Sequence, residues 1–526
     1  MTMTDRPLVA ALALLLATTG CSSKAERAAD AMAQGVQLNA AGQYRAAALM
    51  FNEAVQLRDD IPALWIARAR NQVQMNDYSG AFASYSNALD QDRTNREALD
   101  AVGQLSLATN DMDKADDYAG QILALDPSDI NAQLIRATIY FRRGKIDDAA
   151  GVVARILQQS PTNEPALVLK SRILQRRGDD DAAIAAIRPI FDSGRGSVDL
   201  RRQLVSIYER NADADGLARV AERDARDRPR DPVSQLALVR QAFLIGRLQP
   251  AAAALNALHR VAATDATRDA TVAMLIDADV SLADLARMLA TLPAVEPSLT
   301  VAAAQYALTS GDPAFAIARV QPLVSTRPLT AATTDLHAAY ALALARLGRT
   351  QDAAPRAAAI LAIDPDEPVA LAARTLVEIA TKDFDSALRD ARVVVRDDPQ
   401  SADGAALLAQ VYRSRGDAAA ALRIVIDGFN DNVEDAGFLK LYVTTLAANG
   451  RGDEAASGAR SFTIRHPASV LAWRLRQMLA TAAKDRAAAT RAAAVLERLH
   501  GKPVPMPAAP PEEQVAEKDQ RGDPGR

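Results

Sequence analysis

The sequence predicts an all-α protein, a solenoid of short helical hairpins, and three observations indicate this fold class. A short phrase recurs every 34 residues between residues 42 and 484. Hydrophobic residues make up 49% of the chain but aromatic residues only 4%, and this Ala-rich composition favours helices over strands. Prolines punctuate the chain at the same interval. A regular period of this length is typical of stacked helix–turn–helix units.

Each copy of the phrase begins at an anchor residue, which we expect to end the first helix of a hairpin in a left-handed turn. Gly and Asn are common there because they adopt this conformation at little cost. Ala212 and Val280 are weak copies, and Gly311 comes three residues early before Gly348 restores the phase. The anchors are Gly42, Asn76, Asn110, Gly144, Gly178, Ala212, Gly246, Val280, Gly311, Gly348, Lys382, Gly416, Gly450 and Lys484.

Small residues recur at two places around each anchor. An alanine follows nearly every anchor by five residues, with Leu217 and Leu285 as the exceptions. Another small residue lies in the first helix, seven residues before the anchor, at Gly35, Ala69, Gly103, Ala137, Ala341 and Ala409. Small side chains at these positions let two helix backbones approach closely where they cross.

A proline is expected to end many of the second helices, because it has no N–H to donate to a helical hydrogen bond. These prolines are Pro127, Pro161, Pro229, Pro297, Pro328, Pro365, Pro399 and Pro467. No single hairpin can bury its apolar face alone, so stability must come from stacking on its neighbours.

The spacing and these positions resemble the tetratricopeptide repeat over residues 28–500. The aromatic that follows the small residue in that family is present at Tyr140, Tyr208 and Tyr412. The family's Trp in the first helix is mostly missing, although Trp65 and Trp473 sit near that place. The resemblance implies a right-handed superhelical α-solenoid of about 13–14 repeats.

The N-terminus has the features of an export signal. The apolar run Leu8–Ala17 is too short to span a bilayer and fits a signal-peptide core. The lone cysteine, Cys21, follows it in a segment that resembles the lipobox of bacterial lipoproteins, although Thr18 stands where an aliphatic residue is usual. The resemblance implies lipidation of Cys21, and Ser22 implies transfer to the outer membrane on its periplasmic face rather than retention in the inner membrane. The alternative is an ordinary secretory signal with an incidental cysteine.

These features divide the chain into six segments. We expect a signal peptide at 1–20, a tether at 21–27, an N-terminal array at 28–264, and a joint at 265–330, where the pattern weakens. A C-terminal array at 331–500 and a disordered Pro-rich and charged tail at 501–526 follow. The weak segment is equally well explained as divergent repeats without a joint.

No sequence motif indicates an enzyme, and no cofactor or metal site is expected. The four His are scattered, and neither a nucleophile elbow nor a phosphate-binding loop is found. One segment, Asn211 to Glu222, matches the carboxylate spacing of a calcium loop. It falls on the anchor Ala212, and Glu222 belongs to a predicted second helix, so we interpret it as a turn.

Arginines on first helices are the remaining candidate site. By the pattern of the repeat family they face the concave groove, where a planar guanidinium suits carboxylate recognition. The alternative is a solvated face, partly neutralised by Asp199 and Glu209. The candidates are Arg142, Arg172, Arg176, Arg202, Arg210 and Arg240.

The resemblance implies a non-enzymatic scaffold that holds envelope proteins or peptides together. Its length is similar to that of tetratricopeptide lipoproteins of polysaccharide export and exosortase systems, with protein sorting and pilus assembly as related roles. One alternative is direct binding of an anionic polymer, such as a polysaccharide, in the basic groove. Another is an accessory subunit that presents substrate to an enzyme. A net charge of −4 gives no reason to expect nucleic acid.

Overall fold

A computed structural model of the chain describes residues 23–502 and residue 504. Within this part the chain forms 28 helices and no strand. The helices are α1 Lys24–Ala40, α2 Tyr44–Leu57, α3 Pro62–Gln74, α4 Tyr78–Gln91, α5 Arg96–Ala108, α6 Met112–Leu125, α7 Ile130–Arg142, α8 Ile146–Gln159, α9 Glu164–Arg176, α10 Asp180–Asp192, α11 Val198–Arg210, α12 Ala214–Asp227, α13 Pro232–Leu244 and α14 Leu248–Val261. They continue with α15 Asp265–Asp277, α16 Leu282–Ala290, α17 Pro297–Thr309, α18 Pro313–Thr326, α19 Thr334–Arg346, α20 Thr350–Leu361, α21 Pro368–Ala380, α22 Phe384–Asp397, α23 Ala402–Ser414, α24 Ala418–Asp431, α25 Ala436–Ala448, α26 Gly452–Arg465, α27 Val470–Ala482 and α28 Arg486–Leu499.

Consecutive helices pair into hairpins, with odd-numbered helices first and even-numbered helices second. Most helices pack on their hairpin partner and on the next helix of the chain, which is the contact pattern of a solenoid. The predicted all-α solenoid is therefore confirmed. The predicted hairpin positions also hold along the array, because each anchor falls in the short turn between the two helices of a pair.

The anchor residues adopt the left-handed conformation that their sequence predicts. The φ angle is +73° at Gly42 and +59° at Asn76, and even Ala212 and Lys484 have positive values of +49° and +61°. The exception is Val280, where the left-handed residue is instead Asp279 at +48°. Helix α15 is capped by Thr264 and so starts one residue earlier than the period requires, which moves its turn by one residue.

The helix crossings are as tight as the small residues predict. Ala149 and Ala183 are fully buried, and a Cβ added at Gly35 would lie 2.7 Å from Cε1 of Phe51. Leu285 is accommodated without exposure on α16, which has only nine residues. Small residues at these crossings therefore set the distance between the packed helices.

Two predicted boundaries are corrected. Helix α1 begins at Lys24, within the expected tether, because Ser23 and Glu26 form a reciprocal capping box at its start. Pro297 does not end a second helix but is the first residue of α17, where a missing N–H costs nothing. The other prolines follow the second helices, as Pro127 does after α6.

An ion-pair ladder joins successive hairpins on the surface. The Arg that follows a first helix pairs with an Asp in the second helix of the preceding hairpin, 30 residues earlier. The pairs are Arg143–Asp113 at 2.5 Å, Arg177–Asp147 at 2.6 Å and Arg415–Asp385 at 3.6 Å. The Asp side chains are 83–96% exposed, so each pair adds little stability.

The described residues divide into two compact units between Leu200 and Arg201. Unit 1 contains α1 to α10 and the first residues of α11. Unit 2 contains the rest of α11 and the helices up to α28. The segment 265–330 lies within unit 2, and a joint there stays a prediction.

Candidate functional site

Unit 1 contains a cleft of about 560 Å³ on the face formed by its first helices. Helices α7 and α9 form its walls, and the residues at the start of α11 close one end. Its lining is Leu134, Thr138, Phe141, Arg142, Glu164, Pro165, Val168, Leu169, Arg172, Ser197 and Asp199. Its volume lies within the range of roughly 300–1,000 Å³ that is usual for ligand pockets.

Helical spacing explains why these residues share the cleft. Leu134, Thr138 and Phe141 follow one another by one turn on α7, so they lie on one face. The residues between them, Ile135 and Ile139, point into the solenoid core and are buried. On α9 the helical spacing likewise leaves the side chain of Arg172 exposed, whereas the neighbouring Ile173 is buried.

The cleft carries both signs of charge. Arg142 and Arg172 are its basic groups, and Glu164 and Asp199 its acidic groups. Glu164 accepts a hydrogen bond from the Ser197 N–H at 2.8 Å, which fixes one end of the cleft. Arg172 and Asp199 also interact with other groups of the protein. The apolar floor and the charges of both signs give the cleft an amphipathic lining.

Arg142 has a structural role in addition to lining the cleft. It donates to the carbonyl of Leu107 at 2.7 Å and so satisfies the C-terminal end of α5. The same contact recurs in unit 2, where Arg346 donates to the carbonyl of Leu308 at 2.6 Å. An arginine at the end of a first helix therefore caps the first helix before it.

The other predicted groove arginines are placed differently. Arg176 lies with its guanidinium 5.1 Å from the ring centre of Phe141, in a cation–π contact beside the cleft of unit 1. In unit 2, Arg202 is exposed and Arg210 is half-buried, and both interact with neighbouring groups.

Arg240 corrects the expectation of an open basic surface. Its side chain is only 14% exposed, and it pairs with Asp277 at 3.0 Å. It also donates to the carbonyl of Ala468, which lies 228 residues further along the chain. The sequence could not show this contact, because nothing local to Arg240 indicates a partner so distant in the chain.

The apolar floor of the cleft was not identified from the sequence. Thr138 lies 34 residues before Arg172, at the same repeat position, and Leu134 and Val168 are equivalent to each other in the same way. The candidate arginines occupy the same repeat positions in other hairpins. Examining every residue at those positions would therefore have found the apolar floor.

Other candidate chemistry is limited. The Asn211–Glu222 segment is a turn followed by α12, and Asp213 caps that helix by accepting from the Gly216 N–H. In the part of the chain that the structure describes, no group of three His, Asp or Glu side chains could hold a metal ion. Nor is any described helix long and apolar enough to cross a membrane. Cys21 lies outside the described residues.

No family model matches the sequence, and no curated protein matches it. Solved structures are similar at low identity. One of Naa15/Naa10 bound to HypK is 14% identical, with 94% of this chain and 91% of that chain covered at a TM-score of 0.31. YrrB, described as a TPR protein with an unusual peptide-binding site, is 15% identical over 32% of this chain and 88% of its own, at 0.28. A tetratricopeptide repeat protein from Parabacteroides merdae is 16% identical, with 52% and 96% covered, also at 0.28.

The chain's own helices define its fold. Fourteen hairpins follow one another with left-handed turns and with small residues at their crossings. These are the features on which the tetratricopeptide pattern depends. The described part of the chain is an all-α solenoid of helical hairpins, with the turns and small crossing residues that the repeat pattern predicts.

Proposed function

We propose that this protein is a non-enzymatic scaffold that binds an extended segment of a partner protein in the cleft of unit 1. The observation that carries the proposal is the cleft itself, which combines an apolar floor with charged groups at its edge. Pockets with this composition suit an apolar side chain flanked by polar backbone. A protein partner also agrees with the peptide-binding site named for the similar structure of YrrB.

The charges of the cleft favour a peptide over an anionic polymer. A polyanion gains most from a surface of one sign, whereas this cleft places Glu164 and Asp199 beside its two arginines. An extended peptide can satisfy both signs, since its backbone offers N–H and C=O groups along its length. Polysaccharide binding and presentation of a substrate to an enzyme thus remain the weaker candidates.

The test is selection from a library of displayed random peptides against the purified protein. Thr138→Trp fills the cleft without changing its charge, and we expect it to abolish the enrichment seen with wild type. Gln121→Trp, at an exposed site on the second helix α6, is the matched control and should bind as wild type does. Equal enrichment by wild type and Thr138→Trp would show that the cleft is not the binding site.

We also propose that a lipid on Cys21 anchors the protein to the periplasmic face of the bacterial outer membrane. The support is the signal-like run that ends at the chain's single cysteine. Two or more acyl chains give stable attachment, whereas one gives only marginal attachment. An anchored array could organise an envelope machine, of the polysaccharide-export, protein-sorting or pilus type.

Replacement of the cysteine tests the anchor. Cys21→Ser should leave the protein as uncleaved precursor or release it from the membrane fraction, and should remove incorporated radiolabelled palmitate. Ser22→Ala is the control and should keep the label. Wild-type protein that is found unlabelled in the periplasmic fraction would exclude the anchor.

A further inference from the structure

Two first helices of unit 2 contain stretches in which every residue is buried. Each residue from Leu336 to Ala345 of α19 is buried, as is each residue from Leu299 to Ala304 of α17. A first helix in an open solenoid keeps one face in the concave groove, as α9 does in unit 1 with its exposed Arg172. The concave side of unit 2 is therefore covered by its own helices.

Polar contacts join the two ends of unit 2. Arg240 on α13 donates to the carbonyl of Ala468, just before α27. Arg498 on α28 donates to the carbonyl of Asn211 at 2.9 Å. We call these contacts, together with an ion pair between Arg474 on α27 and the turn after α15, the clasp. Its members are separated by 195 to 287 residues in the chain, so it closes unit 2 on itself.

The two tryptophans report on this closure. Trp65 in unit 1 and Trp473 in unit 2 lie at the same repeat position. Each donates its indole N–H at 2.8 Å to a carbonyl six residues earlier, and each has an arginine three residues later over its ring. Yet Trp473 is only 6% exposed whereas Trp65 is half-buried. The local contacts of the two tryptophans are alike, so the lower exposure of Trp473 comes from its other neighbours.

The clasp gains little from its charges. The ion pair of Arg474 with Asp279 leaves the arginine 54% exposed, so solvent weakens it. Burial raises the pKa of Glu209, an effect that Arg240 and His466 counter and that Asp277 reinforces. The free-energy cost of removing such charged groups from water offsets most of the attraction between them.

Like charges also lie near one another inside unit 2. Burial raises the pKa of Asp269. The charges of Asp265 and Asp398 raise this pKa further, whereas the charge of Arg268 lowers it. Burial also raises the pKa of Asp435, near the same Asp398. None of these carboxylates belongs to the last repeat, so they affect the interior of unit 2 rather than the clasp.

We propose that the last repeat of unit 2 is a releasable gate, which binds the start of the unit as an intramolecular ligand and closes its concave side. Release of the clasp exposes first-helix surface without unfolding the hairpins, because each hairpin keeps its own neighbours. A partner that recognises this concave side must compete with the last repeat. This proposal is independent of the cleft in unit 1.

The test is acrylamide quenching of single-tryptophan proteins. Trp65→Phe leaves Trp473 as the reporter, and Trp473→Phe leaves Trp65. At low salt we expect Trp473 to be quenched much less than Trp65. Arg474→Asp, or salt at about 1 M, which shortens the screening length to about 3 Å, should raise the quenching of Trp473 to the level of Trp65. Trp65 should not respond.

Two further variants make the result decisive. Arg486→Asp removes an exposed charge from α28 outside the clasp and should leave quenching unchanged. The swap Asp279→Arg/Arg474→Asp should restore the low quenching of Trp473, because the ion pair is rebuilt in reverse. The proposal is wrong if Trp473 stays protected in Arg474→Asp and at high salt. It is also wrong if Arg474→Asp lowers the helix content by circular dichroism or if the swap does not restore protection.

Discussion

Replacement of a single buried carboxyl, Glu367→Gln, should make the stability of the second unit less dependent on pH. Glu367 caps α21 by accepting from the Ala370 N–H, and only 8% of the residue is exposed. Burial raises its pKa to about 7, with hydrogen bonds from the backbone opposing the shift and Asp364 and Asp335 adding to it. The folded protein therefore holds a proton that the unfolded chain releases near pH 4.5.

The sign and size of the effect follow from this difference. Between pH 4.5 and about 7 the folded state binds more protons than the unfolded state, so stability falls as the pH rises through this window. A shift of this size corresponds to about 3 kcal/mol above pH 7, where the folded state must carry a buried charge. Gln cannot ionise, so Glu367→Gln should be more stable than wild type at pH 8 and should lose that advantage at pH 5.

Hydrogen–deuterium exchange of peptides covering α20 and α21 measures the effect, after correction for intrinsic exchange rates. Glu296→Gln is the matched control, because Glu296 also precedes a proline at the start of a helix but pairs with Arg260 at 2.8 Å. A difference between wild type and Glu367→Gln that is the same at pH 5 and pH 8 would refute the reasoning.

Three further changes test the core. Ala149→Leu should overpack a helix crossing and destabilise by about 1–3 kcal/mol, with faster exchange confined to the adjacent hairpins; uniform loss of protection along the chain would contradict this. Gly35→Ala should destabilise despite its better helix propensity, because the new Cβ meets Phe51, and a raised melting temperature would contradict it. Burial lowers the pKa of His259 to about 4, so the unfolded chain takes up a proton before the folded protein does. The wild-type protein therefore loses stability as the pH falls from 6.5 towards 4. His259→Gln should remove that loss, and melting curves at pH 4.5 and pH 7 would show whether it does.

The sequence was informative wherever structure depends on neighbouring hairpins. The anchors, the crossing alanines and the arginine side of the cleft all follow from one period, since each repeat meets the same surroundings. The prediction of a left-handed turn at Val280 was wrong because the cap at Thr264 shifts a helix by one residue, which a fixed period cannot represent. The expected exposure of Arg240 in an open groove was not found, because its carbonyl partner belongs to a distant repeat. Such contacts leave no periodic trace, so the closure of unit 2 required the structure.

The clasp also has a consequence for the order of folding. In unit 1 the described contacts join near neighbours in sequence, such as Arg142 and Leu107, 35 residues apart. Arg498 and Asn211 are separated by 287 residues. Closing the longer loop costs about 2 kcal/mol more in chain entropy, and non-local contacts form late. We therefore expect refolding in two phases, a fast one in which hairpins assemble on their neighbours and a slower one in which Trp473 becomes protected.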